Sequence, residues 1–160
     1  MDINAIQQYA CDFRNALEFV SARGQYGWLR MFAHFPRECC RYSSDLLAEY
    51  LIDMGIARER IQHVNGETKR EGYTHCWLLI DNRYYLDITA DQFNGKTYFA
   101  AYTPIEKCCV VERDTHFYEL FDKSKTTYTY NVGIASYGGD IPHKLRIVYE
   151  AAIKQIECRL

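Results

Sequence analysis

The chain has 160 residues, 48% of them hydrophobic, and a formal net charge of -2. This length and apolar content suit a folded domain with its own core and exclude a disordered chain. The small negative charge argues against nucleic acid or an anionic membrane surface as the main partner. No stretch is apolar for long enough to cross a bilayer, and residues 1–4 do not begin a signal-peptide pattern. We therefore expect a cytoplasmic protein, although secretion as an effector by another route stays open.

Seven cysteines are present, and two pairs of them are adjacent in sequence, Cys39 with Cys40 and Cys108 with Cys109. Neighbouring cysteines rarely bridge, and the chain contains no Cys-x-x-Cys motif of the kind that binds metal. We therefore expect free thiols in a reducing compartment, with no metal and no other cofactor.

Two predicted helices come first, short strands follow them, and a third helix comes last. Apolar residues recur at helical spacing over residues 3–22, 40–54 and 141–158, and Gly24 and Gly55 follow the first two segments as C-terminal glycines do. Residues 25–38 indicate an aromatic-rich loop, residues 65–72 a polar loop, and residues 132–140 a glycine-containing loop. Strands are predicted within residues 56–64 and at 73–80, 83–88, 98–102 and 107–111. Without repeats or linkers, this pattern predicts a single α+β domain over residues 1–160.

The register of the hairpin at residues 73–88 decides whether His75 and Asp87 meet. A two-residue loop would pair Ile80 with Arg83 and place the two side chains on opposite faces of the sheet. A three-residue loop pairs Ile80 with Tyr84 instead. His75 then lies diagonally beside Asp87 on the same face, and we predict this second register. A histidine oriented by a carboxylate is the base half of a nucleophilic triad.

A thiol stands where the second predicted helix begins, at Cys39 or Cys40. The amide groups and dipole of a helix N-terminus favour a thiolate. Together with His75 and Asp87, this is the set that thiol proteases and acyltransferases use: the thiol attacks a carbonyl, histidine moves the proton, and aspartate orients the imidazole. Most single cysteines are instead small buried hydrophobic residues, and helical periodicity does not choose between these two.

These residues resemble the transglutaminase-like superfamily over residues 36–93. Residues 40–56 are similar to its nucleophile helix, which ends in a glycine–isoleucine step. His75 opens a His-Cys-Trp run similar to the group's His-x-Trp strand. Asp87 opens an Asp-Ile-Thr run similar to its Asp-Pro-Thr segment, with isoleucine in place of proline. The order of cysteine, histidine and aspartate also agrees, and the resemblance implies a papain-like α+β core.

The resemblance further implies cleavage, deamidation or transfer at an amide of a protein or peptide substrate, through a thioester intermediate. It favours Cys40 as the nucleophile, because the fifteen-residue interval from Cys40 to Gly55 resembles the spacing in that group. His75 and Asp87 complete the expected catalytic triad. No recognisable calcium loop is present. The alternative is a catalytically silent protein-binding module of immunity or adaptor type on the same scaffold.

An oxyanion hole in such a site would use the backbone N–H of Cys40 and one donor from the loop before it. Trp77 is a large aromatic residue on a predicted strand, and such residues usually pack in a core. Gln92 follows a predicted strand and can equally belong to a solvated turn. A zinc site built from Cys40, His63, His75 and Cys76 lacks the usual ligand spacing. The candidates for the oxyanion hole or the cleft are His34, Gln25, Trp28, Trp77 and Gln92.

Overall fold

The computed structural model describes residues 2–24 and 29–159. Its α-helices are α1 (Ile3–Arg23), α2 (Cys40–Asp53) and α3 (Ile141–Glu157), each within one residue of its predicted bounds. Gly24 ends α1 with a φ of 53°, the left-handed conformation that glycine adopts at little cost. No helix in the described ranges combines the length and the apolar character that a membrane crossing requires.

Five antiparallel strands form one sheet in the order β4-β3-β2-β1-β5. With the three helices, this sheet makes an α+β fold. The prediction of a strand at residues 98–102 is wrong, because Thr97–Tyr102 forms a 3₁₀-helix that buries Phe99 against Phe93, with 4.1 Å between the ring centroids. The strands are β1 (Ile61–Glu67), β2 (Thr74–Ile80), β3 (Tyr84–Asp87), β4 (Cys109–Glu112) and β5 (Thr127–Thr129).

The sheet is covered on both faces. The helices pack on the face that carries Leu78 and Ile80, and a second core of aromatic residues covers the face that carries Trp77 and Leu79. Residues 75–80 of β2 are therefore all buried. A strand buried on both sides has no solvent face, which explains why this segment reads as a continuous apolar run rather than an alternating one.

The hairpin between β2 and β3 has the predicted register. Ile80 pairs with Tyr84, which leaves three residues in the loop. Asp81 and Asn82 take left-handed conformations, with φ angles of 53° and 54°. Aspartate and asparagine tolerate this region better than other residues with a side chain, so the loop sequence suits the turn that the register needs.

One disulfide links Cys11 of α1 to Cys108, which precedes β4. The expectation that every thiol is free is therefore wrong for this pair. Its partners stand 97 residues apart, and neither cysteine carries a local signal that identifies the other. Adjacent cysteines do not bridge to each other, and the free cysteines are Cys39, Cys40, Cys76, Cys109 and Cys158.

Candidate active site

The histidine and aspartate of the hairpin are in direct contact. His75 Nε2 lies 2.6 Å from Asp87 Oδ2, and both side chains are fully buried. The Thr89 backbone N–H and hydroxyl donate to Asp87 Oδ1 at 2.8 and 3.2 Å, and the Tyr118 hydroxyl donates to Oδ2 at 2.9 Å. Burial alone would raise the pKa of Asp87, but the His75 charge and these donors together hold it below its usual range.

Cys40 approaches His75 from the edge of the sheet rather than from one of its faces. Strand alternation places His75 beside Trp77, on the opposite face from the one that α2 covers. Pairing with β3 reaches only as far as Leu78, however, so the start of β2 has an uncovered edge. The first turn of α2 covers this edge: the Ser44 hydroxyl donates to the Cys76 carbonyl at 3.2 Å, and the Cys76 backbone N–H interacts with the Cys40 sulfur.

The surroundings of Cys40 favour a thiolate. Hydrogen bonding from the Cys76 side chain lowers the pKa of Cys40 most, and the nearby His75 lowers it further. Burial raises it, but the pKa of Cys40 still lies well below that of an ordinary thiol. Cys76 has one S–H proton, which also faces Asn65 Oδ1 at 3.7 Å. When Cys40 is ionised this proton donates to the Cys40 sulfur, since hydrogen bonds to charged groups are the stronger ones. The pKa of Cys76 is correspondingly raised.

His75 is the matching cation. Burial lowers its pKa, but the adjacent charge of Asp87, the hydrogen bond to that carboxylate and the Cys40 sulfur together raise it to about 10. These two opposite pKa shifts favour a thiolate at Cys40 and an imidazolium at His75, with Asp87 on Nε2 of the ring. The arrangement can deliver a nucleophile to the carbonyl carbon of a substrate amide and a proton to its leaving nitrogen.

The two adjacent cysteines differ in environment. Cys39 is 1% exposed in the helical core, and the Ser43 hydroxyl contacts its sulfur at 3.5 Å. Burial raises the pKa of Cys39 to about 12, so its thiol stays protonated. Cys40 begins α2, and only its thiol interacts with His75. The interactions of Cys40 with Cys76 and His75 make it the more acidic of the two thiols, a difference that periodicity does not predict.

Gln92 lies directly at the histidine. Its Nε2 donates to the Thr89 carbonyl at 3.0 Å and lies 3.1 Å from His75 Nδ1. An amide N–H can donate to Nδ1 only when that nitrogen carries no proton. The Gln92 contact therefore belongs to the neutral imidazole, whereas the raised pKa of His75 belongs to the ion pair with Cys40. His75 Nδ1 thus faces Gln92 when it is unprotonated and the Cys40 thiol when it is protonated.

Trp77 packs against the histidine rather than lining an opening. Its ring centroid is 5.6 Å from that of His75 at an interplanar angle of 29°, and the side chain is 1% exposed. Gly66 of β1 permits this packing, because a Cβ there would stand 2.7 Å from Trp77 Cη2. The indole holds the imidazole plane in place from the core side.

The remaining cleft candidates do not join this cluster in the described part of the chain. His34 contacts Glu38 at 3.1 Å, and its side chain is 67% exposed. Gln25 and Trp28 lie outside the described residues. Within residues 2–24 and 29–159, no group of three or more His, Cys, Asp or Glu side chains is arranged to hold a metal ion.

Sequence reasoning did not assign Thr89, Tyr118 or the pair His63–Asp45. The Asp-x-Thr spacing was a usable signal, because a threonine two residues after an aspartate often bonds back to its carboxylate. Tyr118 is 31 residues from Asp87 and gives no local signal. His63 Nδ1 lies 3.2 Å from Asp45 Oδ1 on the helical face of the sheet, so the chain holds a second buried histidine–aspartate pair.

Comparison with known proteins identifies no relative: no family model, no curated protein and no solved structure matches this chain.

Proposed function

We propose that the protein is a thiol-dependent hydrolase or acyltransferase that acts on an amide, either a peptide bond or a glutamine side chain. Cys40 is the nucleophile, His75 the general acid and base, and Asp87 the residue that orients His75. A papain-like or transglutaminase-like core is part of this proposal. The observation that carries it is the buried contact of His75 Nε2 with Asp87 Oδ2 at 2.6 Å, with the Cys40 thiol near enough to the His75 ring for that ring to lower the pKa of Cys40.

In the first half of the proposed reaction, the Cys40 thiolate attacks the carbonyl carbon and the carbonyl oxygen becomes an oxyanion. The backbone N–H of Cys40, the first of α2, has no intrahelical acceptor and can donate to that oxygen. His75 gives its Nδ1 proton to the leaving nitrogen as the C–N bond breaks. The products are an amine or ammonia and a thioester on Cys40.

In the second half, neutral His75 takes a proton from water or from an acceptor amine. The resulting nucleophile attacks the thioester, and the Cys40 thiolate leaves as His75 becomes an imidazolium again. Water gives hydrolysis or deamidation, and an amine gives transfer. Between the two halves, the Gln92 Nε2–H can donate to the unprotonated Nδ1 and hold the ring in position.

Support over the silent binding module comes from electrostatics. A buried charged pair costs free energy unless it is fully hydrogen-bonded, and a binding scaffold has no need to hold one against a thiol. Here Asp87 has four donor contacts, and the charged His75 has the Asp87 carboxylate on Nε2 and the Cys40 thiol as its second partner. Perturbed groups in mutual contact are typical of catalytic sites.

The pH dependence of alkylation tests the proposal. Because the pKa of Cys40 is lowered, iodoacetamide should modify it at pH 6, where an ordinary thiol with a pKa of about 8.5 is almost fully protonated. Removing the cation in His75→Ala should move this reactivity to pH 8.5 or above. Peptide mapping by mass spectrometry reads each cysteine separately, and exposed Cys158 serves as the internal reference.

The reaction itself is followed on casein, as ammonia release for deamidation and as new N-termini for proteolysis. Cys40→Ser should abolish either signal, and His75→Ala should reduce it about 10³-fold or more. If Cys40 and Cys158 are alkylated with the same pH profile, the binding module is correct and the enzymatic assignment is wrong.

A further inference from the structure

A polar cavity of about 230 Å³ lies on the helical side of the sheet, next to the candidate nucleophile. Its floor is formed by β1 and β5, whose register sets His63 opposite Thr129 and Asn65 opposite Thr127. Arg41, the residue after Cys40, lines the wall that α2 provides. We call this cavity the β1–β5 pocket.

Cys76 lies between the β1–β5 pocket and the reacting sulfur. Asn65 pairs with Cys76 across β1 and β2, so the Cys76 side chain lies on the same face as the pocket floor and lines it. The Cys76 side chain in turn is near enough to Cys40 to lower the pKa of its thiol. A group held in the pocket is therefore one side chain away from the atom that attacks.

The acidic group in the wall of the pocket is already used by the protein. Asp45 is 2% exposed. Its Oδ1 accepts from the Gly133 N–H at 3.0 Å and lies 3.2 Å from His63 Nδ1, and its Oδ2 accepts from the Tyr137 hydroxyl at 2.6 Å. With these three partners the carboxylate is shielded and has little capacity left for a ligand.

Arg41 is the available charge. Its guanidinium lies 5.3 Å from the centroid of the Tyr137 ring, and in residues 2–24 and 29–159 it forms no ion pair with a carboxylate. Asn65 and Asn131 add amide groups to the same lining. A cation beside neutral hydrogen-bond donors is the chemistry that recognises a carboxylate.

The geometry points to the β1–β5 pocket as a subsite for a carboxylate-bearing side chain, glutamate or aspartate, on the residue that flanks the reacting amide, with Arg41 as its main ligand. Its volume is below the range of about 300–1,000 Å³ of sites that hold drug-sized ligands, which suits a single side chain. This inference rests on the proposed function and adds a substrate class to it.

Two probes with the same reactive group test the subsite, N-chloroacetyl-glutamic acid α-amide and N-chloroacetyl-glutamine α-amide. With each, the Cys40 thiolate displaces chloride as a C–S bond forms, so the probes differ only in a carboxylate or an amide. We expect the glutamate probe to modify Cys40 about tenfold faster, as a charge-assisted hydrogen bond allows. Arg41→Gln should bring the ratio to about one, and Arg41→Lys should retain part of it.

The control is Arg37→Gln, which removes an equal charge three residues before Cys40 without touching the pocket lining. It should leave the ratio of the two rates unchanged. Unmodified 2-chloroacetamide reads the thiolate alone: if it does not modify Cys40 at pH 6, the proposed function is wrong and the subsite falls with it. If 2-chloroacetamide does modify Cys40 at pH 6, three results would show that the subsite alone is wrong. These are equal rates for the two probes, a faster rate for the glutamine probe, or a ratio that Arg37→Gln lowers as much as Arg41→Gln does.

Discussion

Tyrosine hydroxyls bind carboxylates throughout this protein, and the chain has 14 tyrosines. Tyr118 donates to Asp87, Tyr137 to Asp45 and Tyr149 to Asp53. A phenol can fill apolar space with its ring and satisfy a buried anion with its hydroxyl, which an aliphatic side chain cannot do. This explains how the buried carboxylates of Asp87 and Asp45 find hydrogen-bond donors among aromatic side chains.

Tyr118→Phe removes one donor from Asp87 and leaves the ring packing intact. Because the pKa of Asp87 is lowered by folding, this carboxylate stabilises the protein above its unfolded pKa of about 3.9 and loses that contribution as the pH falls through the folded value. We expect the variant to lose about 1–1.5 kcal/mol of unfolding free energy at pH 7, with the difference narrowing below about pH 4.

Urea unfolding of both proteins at a series of pH values measures this effect. Tyr102→Phe is the matched control, because Tyr102 donates to Glu119 at the surface at 2.9 Å and its loss should change stability little. Equal losses in the two variants would show that the buried anion does not depend on the phenol.

At the scale of elements, local signals predicted more than long-range ones. The helix bounds followed from apolar spacing and terminal glycines, and the contact of His75 with Asp87 followed from counting the register of one hairpin. The approach of Cys40 along the open edge of β2 depends on where β3 stops pairing, which no local pattern specifies. The segment Thr97–Tyr102 has the composition of a strand but packs as a 3₁₀-helix, because aromatic partners surround Phe99.

Arg14 connects α1 to the segment that supports the site. It is 2% exposed, and its guanidinium forms two hydrogen bonds with the Asp91 carboxylate, at 2.7 and 2.9 Å. It also donates to the Ile88 carbonyl at 2.6 Å and the Lys107 carbonyl at 3.1 Å. Ile88 and Asp91 flank Thr89, which donates to Asp87, and Asp91 directly precedes Gln92, which contacts His75. Arg14 thus ties α1 to the backbone that positions the partners of Asp87 and His75.

Arg14→Leu should therefore destabilise the protein by about 3–5 kcal/mol, because it leaves Asp91 without its cation and two carbonyl groups without donors. The control is Lys107→Ala, which breaks an exposed ion pair of α1, with Glu18, and should cost about 0–1 kcal/mol. Guanidinium chloride unfolding compares the two variants. A loss for Arg14→Leu no larger than the control would mean that the link does not support the fold.

For the molecule as a whole, the disulfide and the buried ion pair hold α1 at neighbouring points. Cys11 precedes Arg14 by one turn, and Cys108 follows Lys107, whose carbonyl Arg14 binds. The disulfide and the Lys107 carbonyl bond join the first helix to the segment before β4, and the ion pair joins it to Asp91, which follows β3. A covalent link across 97 residues restricts the unfolded chain strongly, and typical disulfides stabilise by about 2–4 kcal/mol.

The double variant Cys11→Ser, Cys108→Ser should be less stable than the oxidised wild type by this amount, about 2–4 kcal/mol. Tris(2-carboxyethyl)phosphine should lower the unfolding free energy of the wild type to that of the variant and leave the variant unchanged, since the variant has no link to reduce. Cys158→Ser, at an exposed free cysteine, controls for the loss of a thiol and should behave as the wild type does. An unfolding free energy of the wild type that is the same with and without the reductant would mean that the two cysteines are not joined in solution.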